Sequence, residues 1–159
     1  MVSNIAGKLI ASLEFYPFPL FGFTFDTTMA VVSLIFQGVL ERFPRLKLIQ
    51  AHLGGVVPYL VQRMEDSFRS YSQEWGFQLS KLPSEYYQSQ VYVDSISFHL
   101  PAMQCALEFM GSEHILLGTD YAHPVGDPER AIASVKDLGL PREETDKILG
   151  GNAARLFGL

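Results

Sequence analysis

At 159 residues the chain is long enough for one domain with a sizeable core, and 48% hydrophobic with 18% charged residues is a globular composition. A net charge of −5 with no Lys/Arg cluster argues against a nucleic acid or an anionic membrane surface as partner. The single cysteine, Cys105, excludes an internal disulfide and is expected to be a buried thiol. Met1 to Leu13 lacks the basic start and apolar block of a signal peptide, and the longest apolar run, Met29 to Phe36, is too short and interrupted to span a bilayer. A cytoplasmic location is the resulting expectation.

The first 25 residues have weak periodicity and contain the aromatic run Phe15-Tyr16-Pro17-Phe18-Pro19-Leu20-Phe21, whose prolines forbid regular helix. Asp26 is placed to cap a helix over 27–43, with Met29, Val32, Phe36, Val39, Leu40 and Phe43 on one stripe and Pro44 as its stop. A strand over 46–51 follows, then a His-Leu-Gly-Gly turn and a helix from Val57 to Tyr71. A short helix near Ser84 to Tyr87 precedes a second strand, 91–94. Pro101 opens a helix that Gly111 stops, and the third strand is 115–119. Asp127-Pro128-Glu129 starts another helix, Pro141 a short one, and Asn152 is expected to cap the last.

Strands alternating with helices imply parallel strands with helical crossovers, in a single domain over 1–159. Three parallel strands are too few for a sheet covered on both faces and too few to close a barrel. The pattern is that of part of a larger α/β architecture.

Ligands of parallel α/β proteins collect at the carboxyl ends of the strands. Here those ends carry His52, Asp94-Ser95 and Asp120. Each has an ordinary alternative: a strand-end histidine bonds a loop carbonyl, and Asp94 caps the next helix. Asp120 has the stronger case, because the polar segment Tyr121-Ala122-His123-Pro124 follows it. A metal site needs several converging ligands, and no His-X-His pair occurs in the sequence. His123 is the nearest second donor to Asp120, His99 lies on the loop after Ser95, and His114 is expected at the opposite rim as a solvated residue. Gly-rich phosphate loops, serine elbows and Cys-His arrangements do not occur.

Four segments together resemble one family. They are Phe43-Pro44-Arg45-Leu46-Lys47 leading to His52-Leu53-Gly54-Gly55; Val57-Pro58-Tyr59-Leu60 with Arg63; Gly118-Thr119-Asp120-Tyr121; and the ending Gly151-Asn152-Ala153-Ala154-Arg155-Leu156-Phe157. They resemble the metal-dependent amidohydrolases related to aminocarboxymuconate semialdehyde decarboxylase, from about Gly22 to the C-terminus. The resemblance implies the C-terminal half of a TIM (β/α)8 barrel. It also implies a hydrolase or decarboxylase using zinc or another divalent metal on a small carboxylated, ring-derived substrate. His52 then corresponds to the catalytic histidine that activates metal-bound water, Asp120 to the carboxylate metal ligand, and Arg63 to an arginine that binds the substrate carboxylate across a subunit interface. The family's His-X-His pair and third ligand histidine have no counterpart here.

Such a chain is expected to bind metal weakly by itself and to work as a homo-oligomer or beside a complementary half-barrel. The alternative is a non-catalytic half-barrel serving as an assembly module.

Overall fold

The computed structural model describes residues 21–159. The aromatic run 15–21 lies outside these residues except for Phe21, which is exposed. In chain order the elements are α1 (Phe23–Phe36), α2 (Val39–Arg42), β1 (Leu48–Gln50), α3 (Val57–Trp75), α4 (Pro83–Gln90), β2 (Val91–Asp94), α5 (Leu100–Met110), β3 (Ile115–Leu116), α6 (Pro128–Lys136), α7 (Arg142–Asp146) and α8 (Asn152–Phe157). The strands form one parallel sheet ordered β1-β2-β3, with Ile49 beside Tyr92 and Val93 beside Ile115. This is the expected α/β pattern, and the strand order follows the chain.

Side chains alternate across a strand, so the register divides the sheet into two faces. Leu48, Gln50, Val91, Val93 and Ile115 share one face; Ile49, Tyr92, Asp94 and Leu116 share the other. The apolar members of the first face join Ile35, Leu40, Tyr87, Met103, Ala106, Val135 and Ile148 in the helix-covered core. Burying each large side chain there contributes about 1.5–3 kcal/mol. Gln50 is polar in this layer, and Tyr87 Oη donates to its Oε1 at 2.5 Å. Burial pushes the Tyr87 phenol up from its ordinary value, so it stays a donor.

β2 spans the expected 91–94, whereas β1 and β3 are shorter than expected because side chains replace ladder bonds at their ends. Gln90 Nε2 donates to the carbonyls of Phe43 and Leu46 at 3.0 and 3.1 Å, so the chain enters β1 without pairing there. Beyond Leu116, Ser95 Oγ takes over, accepting from Gly118 N at 3.1 Å.

The first helix also departs from expectation. It begins at Phe23, so Asp26 lies within its first turn, where the helix dipole favours an acid. It then breaks at Gly38, whose φ of 70° ends it before α2 restarts. Within α1 the buried stripe is Thr28, Val31 and Ile35, one position off the expected one, so Met29 is exposed; past the break Leu40 is buried and Phe43 exposed. Cys105 is half-buried rather than buried.

Two further corrections lie at the amino ends of the strands. His114 is not solvated: its ring stacks on Tyr92 at 4.6 Å, and Nδ1 lies 2.8 Å from the Val91 carbonyl. Asn152 does not cap α8. Its buried Nδ2 donates to the carbonyls of Ser112 and Ile115 at 2.6 and 2.8 Å and ties the helix to the start of β3. Asp127 does cap α6, accepting from Arg130 N at 2.9 Å.

An ion-pair network closes this end of the fold. Glu113 meets Lys147 at 2.8 Å and Arg155 at 2.5 Å, and these two cations hold its carboxyl down at about 2. A lowered carboxyl value stabilises the fold above the unfolded value and loses that contribution as pH falls through the folded one. Glu113→Gln is therefore expected to flatten the acid-side loss of stability between pH 4.5 and about 2, read as the urea midpoint across that window. An unchanged acid limb would show that the network contributes nothing.

Candidate functional site

The rim at the carboxyl ends of the strands is built around a left-handed turn. After β1 the backbone reverses through His52 (φ 58°), Leu53 (φ 54°), Gly54 (φ 79°) and Gly55 (φ 61°). Residues with a Cβ resist this region by about 1–2 kcal/mol each, so His52 and Leu53 need compensation. It comes from the neighbouring strand. Asp94, the last residue of β2, accepts from His52 N at 3.0 Å and from Leu53 N at 2.9 Å, one to each carboxylate oxygen. Ile96 N donates to the same group at 2.9 Å. Burial pushes the Asp94 carboxyl up from its ordinary value, while these three N–H groups pull against that rise.

The two glycines are steric requirements. A Cβ on Gly54 would stand 2.8 Å from Tyr87 Oη and 2.9 Å from Val93, and one on Gly55 would overlap Thr28 Oγ1 and the Thr24 carbonyl. Thr28 Oγ1 accepts from Val56 N at 3.0 Å and donates to the Thr24 carbonyl at 2.7 Å, which docks α1 onto the turn. The ring of His52 lies parallel to Phe23, centroids 6.3 Å apart. Its Nδ1 is buried and finds no hydrogen-bond partner among the described residues.

Asp120 stands at the same rim, beyond β3. Gly118 passes so close to β2 that a Cβ there would lie 2.8 Å from the Asp94 Cβ. Asp120 itself has φ 57°. Its loop is closed by Asp127 N donating to the Thr119 carbonyl at 3.0 Å and His123 N to the Asp120 carbonyl at 2.8 Å.

The structure thus joins His52 directly to Asp94, and Asp94 by packing to the strand end that leads to Asp120. Arg63 stands apart. It is exposed on α3 and lines an apolar groove of about 350 Å³ with Met29, Val32, Leu60 and Trp75. Arg69 takes Glu65 and Asp66, and Arg63 has no ion-pair partner among the described residues. His99 and His123 are exposed.

Among the described residues no three His, Cys, Asp or Glu side chains converge as a metal site. Asp120 alone does not fit a divalent cation, which takes three or more protein ligands in catalytic sites. What sequence reasoning undervalued is Asp94. It does not cap the next helix, whose N-cap position is His99. The available signal was an acid closing a strand beside a His-Leu-Gly-Gly turn.

The amidohydrolase family model matches residues 5–159, further toward the N-terminus than the motifs alone reached. The chain belongs to the amidohydrolase family. It is 34% identical over 142 residues to 2-amino-3-carboxymuconate-6-semialdehyde decarboxylase of Dictyostelium discoideum, covering 88% of this chain and 39% of that protein. Its structure resembles 5-carboxyvanillate decarboxylase from Sphingomonas paucimobilis at 27% identity and TM-score 0.78, over 86% of this chain and 41% of that one. A dihydroxybenzoic acid decarboxylase from Polaromonas sp. JS666, solved with manganese and 2-nitroresorcinol, shares the fold at TM-score 0.81 and 21% identity, over 98% of this chain and 47% of that one. This amidohydrolase chain therefore spans under half the length of these relatives. Its three parallel strands with flanking helices correspond to the C-terminal half of their TIM-barrel architecture.

Two glycines of positive φ differ in what an added methyl group would meet. Gly76, at the end of α3, has φ 73° and ψ 19° with nothing within 4 Å of the place a methyl group would take, whereas one at Gly55 (φ 61°, ψ −122°) would collide with backbone. Gly76→Ala is expected to cost about 1 kcal/mol, and Gly55→Ala about 2 kcal/mol more from overpacking and from a backbone conformation that suits only glycine. Urea unfolding of the two variants checks this, and equal losses would refute the close approach.

Proposed function

We propose that this amidohydrolase chain carries two of the active groups of a metal-dependent decarboxylase for small carboxylated aromatic or ring-derived substrates. The observation that supports this most is the built rim: His52 and Asp120 both stand at strand carboxyl ends, in a chain similar to decarboxylases of such substrates. Decarboxylation breaks one C–C bond, releases CO2 and leaves a carbon that must take up a proton. His52 is a residue of the right type to carry that proton near neutral pH. Asp120 serves as one carboxylate ligand of a divalent cation, manganese or zinc. Arg63, free of ion pairs among the described residues and apart from this rim, serves a substrate carboxylate across a subunit interface.

The remaining metal ligands come from outside the described residues, in a complementary half-barrel or larger assembly. By itself the chain is expected to keep little zinc or manganese after dialysis and to decarboxylate 2,6-dihydroxybenzoate at no measurable rate. When it is co-expressed with the N-terminal portion of the Dictyostelium relative, decarboxylation is expected to appear. His52→Gln should then lower kcat by about 10²–10⁴-fold, and Asp120→Asn should remove bound metal together with activity. An assembled enzyme indifferent to His52→Gln would refute the proton-carrier role.

Association has its own support. Among the described residues β1 and β3 each pair on one side only, and an unpaired strand edge is a template for another chain. Ile49, central in β1, is 49% exposed. The chain is expected to self-associate at micromolar concentration. Ile49→Lys should weaken that association about tenfold or more, as the loss of one large apolar contact implies. Light scattering showing a monomer for the unmodified chain would count against the half-barrel assembly.

A further inference from the structure

A catalytic imidazole is ordinarily oriented through its second ring nitrogen, by a bond to a carboxylate or a carbonyl. His52 lacks that device among the described residues, since its Nδ1 is buried without a partner. The Phe23 ring alongside, 6.3 Å away, supplies a wall but no directional bond. What is fixed is the backbone. His52 N and Leu53 N, consecutive and both left-handed, point at the two oxygens of one buried carboxylate at 3.0 and 2.9 Å. Successive N–H groups of a turn that converge on one anion make a concave nest, and here each carboxylate oxygen takes one of them.

We infer that Asp94 is the positioning residue for His52: its carboxylate, at the tip of the middle strand, sets the turn from which the imidazole stands and thereby fixes the ring at the rim. The inference deepens the reading of His52 as proton carrier and rests on it for its functional meaning. The same carboxylate accepts from Ile96 N, and its Cβ lies against Gly118, so the middle strand is in register with both outer rim loops. Nothing else in the loop after β2 duplicates this role. Ser95 serves Gly118, with Oγ accepting from Gly118 N at 3.1 Å, and Phe98 lies under the Arg130 guanidinium at 5.3 Å.

The residue type is the test. An asparagine keeps the size of Asp94 but presents one oxygen and one NH₂, so one of the two turn amides must face a donor. NMR of the full chain reads the consequence directly. In the unmodified protein, couplings across the hydrogen bonds are expected from the His52 and Leu53 amide nitrogens to the Asp94 side-chain carbonyl carbon. In Asp94→Asn, amide exchange at His52 and Leu53 should accelerate about tenfold beyond the change at Val91 and Ile115, which report global stability. The carbon-bound ring proton signals of His52 should shift as well. Ser95→Ala, which loosens the neighbouring strand end, should leave those signals in place.

Missing couplings in the unmodified chain would overturn the proposal, even if Asp94→Asn fails to fold. So would an Asp94→Asn variant whose His52 signals move no more than those of Ser95→Ala. A failed activity test of His52→Gln is a separate outcome: it removes the proton-carrier reading while the couplings still report the hold on the turn.

Discussion

One buried carboxylate organises the rim. Asp94 closes the middle strand and gathers three backbone N–H groups, two from the turn after β1 and one from its own loop. A carboxylate in a poorly solvated place is costly unless such donors surround it, and the donors here are ones that helix or sheet would otherwise have satisfied. The backbone conformation and the anion therefore require each other. Without the carboxylate, His52 and Leu53 have no reason to be left-handed; without the left-handed turn, the carboxylate has too few partners to stay buried.

The glycines of the site follow from that constraint. Gly54 is small because Tyr87 and Val93 lie behind the turn, Gly55 because α1 docks through Thr28, and Gly118 because β3 must pass the Asp94 Cβ. Behind them, the helix-covered face of the sheet is dry except for Gln50, which commits its oxygen to Tyr87 and leaves Nε2 buried without a partner among the described residues. That pairing sits under the same turn, since the Gly54 position also touches Tyr87 Oη. Asp94 thus bonds the turn to the sheet, and the Tyr87–Gln50 bond ties α4 to β1 beneath it.

The strand–helix alternation, the parallel order and the three rim residues are legible in the sequence because each depends on local signals: short apolar runs ending in a polar residue, bounded by glycine or proline. The family is legible from motifs that carry backbone requirements, above all His-Leu-Gly-Gly. What escapes a sequence reading depends on partners distant along the chain. A helix cap is the local role open to Asp94, whereas its actual partners lie 41 and 42 residues away. Asn152 is misplaced for the same reason, since it bonds carbonyls 37 and 40 residues upstream. His114 looks solvated beside Glu113, but the parallel register puts it against Tyr92. Helix limits fail where Gly38 could serve either as an interior residue or as a left-handed stop.

Helices cover one face of the sheet, while Ile49 is exposed on the other, and the contacts that build the rim all lie among the described residues. Contacts that hold His52 run from the turn to β2, α1 and α4. Those that hold Asp120 run within its own loop, where His123 N donates to the Asp120 carbonyl and Asp127 N to the Thr119 carbonyl. Both sets lie inside the described chain and use backbone groups or adjacent strands. The exposed side of Ile49 on β1 takes no part in either. A chain covering two fifths of its relatives can therefore fix the backbone at His52 and at Asp120 through its own contacts. On the function proposed above, the opposite wall and the further metal ligands would come from a surface outside the described residues.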